Sequence, residues 1–343
     1  MSDLKLFKLA SDHVIELTVS SMALEKSLQR LIEKHLDTFL GITFLASEFS
    51  TGARHGGRMD TLGIDENGAP VIIEYKKATN ANVINQGLYY LDWLLDHTDT
   101  FKVLVMDKLG PDKMKMIDWS SPRLLCIAGD FSKYDLHAVG QMQRNIELIR
   151  YAKYGDDLLA LDLINRTTAA TTGNGGSTGS GTGGGVVVPK PGTYKTVTEY
   201  LAQADTELAD RFDALKSMIF EMGDVEMKTL KLYFAFRRLK NFACVEVHTQ
   251  TRKLLVFVKH PDPASVVEDK FARDVTTIGH FGTGNLELTL TSKADVEKAR
   301  HLIEQSYEVN RVRPCRLTHT LRSKHSIPSR PWSSNPPHAS RAG

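Results

Sequence analysis

The period of the hydrophobic pattern changes several times between Arg58 and Tyr90. Arg58 to Ile64 alternates, so Asp60, Leu62 and Ile64 share one face of a predicted strand. Asn67-Gly68 follows between two apolar runs, the strongest short signal for a hairpin. Val71-Ile72-Ile73 is a continuous apolar run, as in a strand buried on both faces. It ends in Glu74-Tyr75-Lys76, whose two charged side chains are two residues apart and point to one side. The hairpin therefore brings Asp60 beside Glu74 and Lys76.

Upstream, Ser20 to Leu40 reads as a helix with Leu24, Leu28, Leu31, Ile32 and Phe39 on one stripe. At about 100° per residue Glu25 falls at the edge of that stripe, and Glu33 points further towards solvent. Downstream, Phe101–Met106 and Arg123–Ala128 read as buried strands, Asp135–Gln143 as a helix, and Ile146–Tyr151 and Leu158–Ile164 as further strands. The pattern predicts an α/β domain with a mixed central sheet over residues 1–166.

The pattern then stops. Thr167 to Gly185 has no charge and no large apolar side chain, so it cannot contribute to a core. A flexible linker over 167–193 is predicted, and about twenty such residues span roughly 25 Å. Such a tether would leave the next segment unable to build a site by rigid packing. A phosphate-binding loop is a poor reading, because no Gly-Lys-Ser/Thr is present and no strand feeds it. From 194 to 312 a smaller α+β domain is predicted, with helices over Leu208–Met222 and Asp295–Tyr307. Phe242–Val247 and Lys253–Lys259 read as a hairpin turning at Thr249–Arg252, and Leu286–Leu290 as a third strand. Residues 313–343 read as a disordered basic tail, with no acidic residue from Arg316 onward.

Composition narrows the partners. The chain has 343 residues, enough for two domains, and a formal charge of +2, so nucleic-acid binding would need local patches. Cys126, Cys244 and Cys315 match no zinc spacing and no disulfide framework, as suits a reducing cytoplasm. No stretch is apolar enough to cross a membrane, and the N-terminus is interrupted by charges, unlike a secretory signal. Lys228, Lys231, Arg237, Arg238, Lys240, Arg252, Lys253 and Lys259 concentrate around the second hairpin, with Tyr233, Phe234 and Phe236 among them. Two readings stand: base stacking with phosphate contacts, or core aromatics beneath a solvated cationic face. His248, His260 and His280 are irregularly spaced and read as surface histidines.

The chemistry centres on the first hairpin. Charged groups at the end of a buried strand are costly unless compensated, and a metal ion would compensate two carboxylates. Magnesium takes oxygen ligands and keeps several waters. Asp60, Glu74 and the main-chain carbonyl of Tyr75 are its candidate ligands, with manganese as the substitute cation. The metal would acidify a bound water, and Lys76 would orient that water or stabilise charge on the phosphate.

The order of these residues resembles the PD-(D/E)xK nuclease superfamily, in particular its NucS and RecB-like branch. The match runs from RMD through IIEYK to NVINQGLYYLDWLLD. It is best over residues 20–110 and weaker to about 165. Met59 stands where the superfamily's proline would be. The resemblance implies a restriction-endonuclease-like fold and catalytic roles for Asp60, Glu74 and Lys76. It also implies a helix glutamate, for which Glu25 is preferred and Glu33 is the alternative, and a glutamine on the following helix, Gln86. Arg58, Lys77 and Tyr90 flank this group and are candidate nucleic-acid contacts, together with Arg237, Arg238 and Lys240. The C-terminal half resembles a domain of unknown function found behind such nucleases.

The expectation is a divalent-metal-dependent nuclease that hydrolyses DNA phosphodiester bonds in repair or defence in the cytoplasm, with DNA chosen on the resemblance and RNA left open by the residues. The alternatives are a non-catalytic nucleic-acid-binding module and a protein-interaction adaptor. A homodimer or a protein partner would engage through the C-terminal domain.

Overall fold

In the computed structural model, the described residues are 4–9, 13–20, 25–53, 55–77, 82–155, 157–167 and 196–310. The expected linker beyond Thr167, the tail from 313 and Cys315 lie outside them.

The chain opens with short strands β1 (Leu6–Leu9), β2 (Val14–Leu17) and β3 (Val19–Ser20). Next come α1 (Glu25–Lys34), α2 (Leu36–Leu40), β4 (Ile42–Ser50), β5 (Arg58–Asp65) and β6 (Pro70–Lys76). Helices α3 (Asn82–Asp96), α4 (Thr98–Leu109) and α5 (Pro111–Lys115) lead to β7 (Arg123–Ala128), α6 (Lys133–Gly140), β8 (Asn145–Tyr154) and β9 (Leu158–Thr167). A second region holds α7 (Val197–Ala202), α8 (Thr206–Phe220), β10 (Glu226–Thr229), β11 (Phe234–Arg237), β12 (Asn241–His248) and β13 (Lys253–Val258). It closes with β14 (Ala272–Asp274), β15 (Leu286–Leu290) and α9 (Lys293–Asn310).

The first sheet is mixed, in the order β3-β8-β7-β6-β5-β4 with β9 also on β8. The pairs β6–β7 and β7–β8 are parallel, and β4–β5 and β5–β6 are antiparallel. Its central strands carry continuous apolar runs because both faces are covered. Ile72, Leu124 and Cys126 pack with Val83, Leu91 and Trp93. On the other face Val71, Ile73, Tyr75, Leu125 and Ile127 pack with Leu28, Ile32, Leu36 and Leu40. Each fully buried aliphatic side chain contributes about 1.5–3 kcal/mol. The second sheet runs β10-β11-β12-β13-β15-β14, entirely antiparallel. One of its faces packs Phe234, Phe236, Val245 and Val256 with Phe212, Leu215, Ile219, Ala299 and Ile303.

Two predicted elements differ. Phe101–Met106 is helical, not a strand: Phe101 and Val105 are buried, whereas Val103 and Met106 are exposed. That is the one-turn spacing of a helix, which a six-residue apolar run does not reveal. The predicted helix Ser20–Leu40 is shorter and interrupted. Ser20 ends β3, α1 begins at Glu25, and His35 breaks the helix before α2. Tyr233, Phe234 and Phe236 are buried core residues, so they offer no stacking surface.

The two sheets are not independent, which overturns the expectation of a freely tethered second half. The turn between β5 and β6 is enclosed by the second region. Asp65 and Asn67 are both buried, although turns normally lie at the surface. Arg123 bridges Asp65 and Glu147, each at under 3 Å, and Arg237 reaches Asp65 at 3.5 Å and Glu147 at 3.2 Å. Arg166 pairs with Glu226 at 3.5 Å, and Lys228 with Asp118 at 3.5 Å. Leu239 inserts into the core beneath α1 and α2.

Candidate active site

The β5–β6 ladder pairs Thr61 with Ile73 and Leu62 with Ile72, which brings Asp60 next to Glu74 and Tyr75. The contact is reciprocal. The Asp60 amide donates to Glu74 Oε1 at 3.2 Å, and the Tyr75 amide donates to Asp60 Oδ2 at 3.0 Å. Each carboxylate is thus oriented by the main chain of the opposite strand. Glu74 is fully buried, and its Oε2 has no hydrogen-bond partner. Such an orphaned acceptor is costly unless another group joins it.

Electrostatics mark the same pair. Burial, with the Asp60 charge adding to it, pushes Glu74 up to about 9. Burial also raises Asp60, offset in part by the Tyr75 amide and by Lys76. Two adjacent carboxylates in a partly dry setting resist sharing two negative charges.

Lys76 lies at the end of β6 on the Glu74 side. Its ammonium is 3.6 Å from Glu25 Oε2, and Glu25 Oε1 accepts from the Lys77 amide at 3.2 Å. The N-terminal end of α1 therefore meets the end of β6. Glu33 lies two turns further along α1 and points elsewhere. It accepts from the Thr61 hydroxyl at 2.7 Å and from the Gln29 amide at 2.9 Å. The Tyr75 ring is buried on that same face, with its hydroxyl 3.4 Å from the Thr61 hydroxyl.

A cavity of about 380 Å³ opens over Asp60, lined also by Glu25, Gln29, Glu48, Arg58 and Gln86 among others, with Glu74 buried behind Asp60. Gln86 donates to the Tyr90 hydroxyl at 3.3 Å, and that hydroxyl accepts from the Arg58 amide at 3.1 Å. Tyr90 is buried, so it fixes the start of β5 and presents little surface to nucleic acid. A side chain at Gly57 would strike its ring at 2.5 Å, so only glycine permits this approach. Arg58 is exposed and pairs with Glu48 at 2.5 Å, and Lys77 is exposed just past the end of β6.

Two residues of the site escaped the sequence reading. Gln29 is buried and donates to the Asp60 carbonyl at 2.6 Å and to the Ser47 hydroxyl at 3.2 Å. The signal was present: Glu25, Gln29 and Glu33 recur every four residues, which places them along one helix face. Glu48 lies on β4 between Ser47 and Phe49, whose partners Thr61 and Met59 flank Asp60. Lys26, hydrogen-bonded to its carboxylate, holds Glu48 below the usual glutamate range, with Arg58 assisting. Its φ of 53° is rare for a non-glycine residue, and no local pattern announces it.

The remaining candidates are elsewhere. Arg237 is buried among Glu147, Asp65 and Glu226, so it is not free to contact nucleic acid. Arg238 lies over the Tyr307 ring at 5.6 Å and is 4.0 Å from Asp224. Lys240 donates to the Thr38 carbonyl at 2.8 Å. Linear proximity had grouped three cations of which only Arg237 is buried among acids.

The donor set suits a hard cation. Among the described residues no three His, Cys, Asp or Glu side chains form a metal-holding group. Magnesium commonly takes only one or two carboxylates, completing its shell with water and substrate phosphate. Asp60 and Glu74 are the two carboxylates here that could hold such an ion.

Among the described residues no helix is long and apolar enough to cross a membrane. Residues 197–310 match the family model described as a domain of unknown function, DUF5655. An uncharacterized protein of Haemophilus influenzae is 29% identical over 314 residues, covering 88% of this chain and 99% of that protein. The crystal structure of a repair endonuclease from Pyrococcus abyssi aligns with 40% of this chain at 17% identity and a TM-score of 0.26. A complex of EndoMS with double-stranded DNA aligns with 43% at 13% identity and a TM-score of 0.24. The chain spans 51% and 64% of those two structures' own lengths, respectively.

Proposed function

We propose that this chain is a divalent-metal-dependent nuclease that hydrolyses DNA phosphodiester bonds. The observation that carries the reading is the Asp60–Glu74 pair. Two carboxylates are oriented by each other's strands, and one buried oxygen has no partner inside the protein. Lys76 stands on the same side, paired with Glu25. DNA, rather than another phosphodiester, follows from the resemblance carried by RMD, IIEYK and the Gln86 helix.

Asp60, Glu74 and the Tyr75 carbonyl would hold magnesium or manganese. When bound, the ion would lower the pKa of a water and offset negative charge on the phosphate. The protein's own groups do the rest. The Asp60 and Tyr75 amides keep the two carboxylates from rotating. Gln29 fixes the Asp60 main chain from α1. Lys76, steered by Glu25, offers a proton-bearing cation for the attacking water or the developing phosphate charge. Exposed Arg58 and Lys77 flank the opening and suit phosphate oxygens.

The test uses purified full-length protein with labelled single-stranded, duplex, mismatched and branched DNA. Each substrate is incubated with magnesium, manganese or EDTA. Cleavage that requires the cation and is lost in Glu74→Gln supports the reading. Salt-dependent binding to all substrates without cleavage would leave a nucleic-acid-binding module in its place.

A further inference from the structure

The region 197–310 grips the hairpin that carries the candidate carboxylates, and it does so at the turn. Three consecutive turn residues are held. Asn67 Oδ1 accepts from the Asn241 amide group at 2.7 Å and from the Tyr233 hydroxyl at 3.1 Å. Asn67 Nδ2 donates back to Asn241 Oδ1 at 3.2 Å. Glu66 Oε2 accepts from the Asn241 main-chain amide at 2.7 Å, and Glu66 Oε1 pairs with Lys259 at 2.5 Å. Asp65 caps the turn itself, accepting from the amides of Asn67 and Ala69 at 2.9 Å each, and it faces Arg237 at 3.5 Å.

These contacts come from β12, from β11 and the residue before it, and from the residue following β13, so one sheet meets one turn. The turn is where hairpin register is fixed. A slip of one residue between β5 and β6 would send Glu74 to the opposite face of the sheet. At about 3.3 Å per residue the grip acts roughly 16 Å from Asp60, and it touches nothing in the cavity. Tyr233, Asn241 and Lys259 are therefore placed as positioning residues.

We infer that the domain of unknown function serves as an intramolecular brace: it fixes the turn of the β5–β6 hairpin and thereby the Asp60–Glu74 contact. The catalytic consequence rests on the nuclease reading; the mechanical one does not.

The experiment compares full-length wild type with Asn241→Ala, Tyr233→Phe and their combination, and with Asp213→Ala on an exposed part of α8 as control. Hydrogen exchange is followed in peptides from 58–76 and from 206–220 in EDTA, and kcat and KM are measured with magnesium and duplex DNA. Exchange in the hairpin peptides should rise about tenfold in the double variant, as expected for losing one or two hydrogen bonds. The peptides of α8 should stay protected. The turnover number should fall with the exchange change while KM holds, and the control should match wild type in both. Unchanged hairpin exchange in the double variant would overturn the brace. Faster exchange with wild-type kcat would overturn its catalytic consequence. Should wild type cleave nothing, the nuclease reading fails, and the exchange comparison still decides whether the brace exists. Tyr233→Phe removes one hydroxyl from a retained ring, so it keeps the test open if Asn241→Ala fails to fold.

Discussion

Asn67 and Asn241 are 174 residues apart in the chain and exchange two side-chain hydrogen bonds, at 2.7 and 3.2 Å, in a buried contact. One closes the hairpin that presents Asp60 and Glu74; the other opens β12 of the second sheet. The candidate site and the region of unknown function therefore share a structural element, which determines where substitutions should affect chemistry and where they should affect folding.

The first prediction concerns the carboxylates and the lysine. Asp60→Asn, Glu74→Gln and Lys76→Met should each lower metal-dependent DNA cleavage by about 100-fold or more, with the circular dichroism spectrum intact. A Lys76→Met protein that retains most of the wild-type rate would remove the lysine from the mechanism.

Glu74→Gln should also stabilise the metal-free protein. With its carboxyl pushed up to about 9, Glu74 in the folded metal-free protein must hold a proton at pH 8 that the unfolded chain does not, and glutamine carries no such cost. In EDTA at pH 8 the urea midpoint should rise, by the equivalent of about 1–2 kcal/mol. With saturating magnesium the gain should shrink or reverse, because only the wild-type carboxylate is stabilised by the ion. A fall in metal-free stability would show that the buried charge is already compensated.

The two helix glutamates should separate by phenotype. Glu25→Gln should reduce cleavage with little loss of stability, since Glu25 is exposed and contacts Lys76. Glu33→Ala should cost about 1–3 kcal/mol, because it removes the 2.7 Å acceptor of the buried Thr61 hydroxyl and one of the three acceptors of the Gln29 amide. Kinetics paired with chemical denaturation reads both, and the reverse pattern would exchange their roles.

Arg237→Met should destabilise folding without altering the salt dependence of nucleic-acid binding. Removing one partner from a buried ionic network commonly costs about 3–5 kcal/mol. A lost phosphate contact would instead reduce the salt slope by about one. Denaturation and binding at several salt concentrations separate these outcomes.

The same network predicts acid sensitivity. Burial alone would raise Asp65, but Arg123, Lys228 and Arg237 overcome it and hold the carboxyl below its ordinary 3.8. Glu147 is likewise held below 4.5, with Arg123, Arg237 and Arg166 outweighing burial. Both acids are lowered on folding, so their contribution is complete above those ordinary values. It declines as pH falls below about 4.5, where the unfolded chain takes up protons first. Stability should drop from pH 5 to about pH 3, and Glu147→Gln, already less stable at neutral pH, should drop less. Equal slopes for the two proteins would exclude Glu147 as a source of the acid sensitivity.

Local sequence was sufficient wherever neighbours in the chain are neighbours in space. The Asn67-Gly68 turn forms with Gly68 at φ 85°, a value glycine tolerates freely, and the alternating strand before it and the apolar run after it set Asp60 against Glu74. The strands β7, β8, β12, β13 and β15, and the helices α6, α8 and α9, announce themselves by period and length in the same way. Phe101–Met106 escaped because six apolar residues fit a buried strand or a buried helix turn equally well, and only packing against the sheet selects one. Gln29 and Glu48 owe their positions to tertiary packing: α1 lying across β5 and β6, and β4 pairing beside Asp60. The cations Arg237, Arg238 and Lys240 are the clearest case. Their spacing shows charge but not which acids or carbonyls will face them, and the docking of the two sheets sets Arg237 between Asp65 and Glu147 and Lys240 on the Thr38 carbonyl. Sequence fixes periodicity and turn chemistry over a few residues; where a polar side chain finds its partner across 174 residues is decided by which surfaces exclude water together.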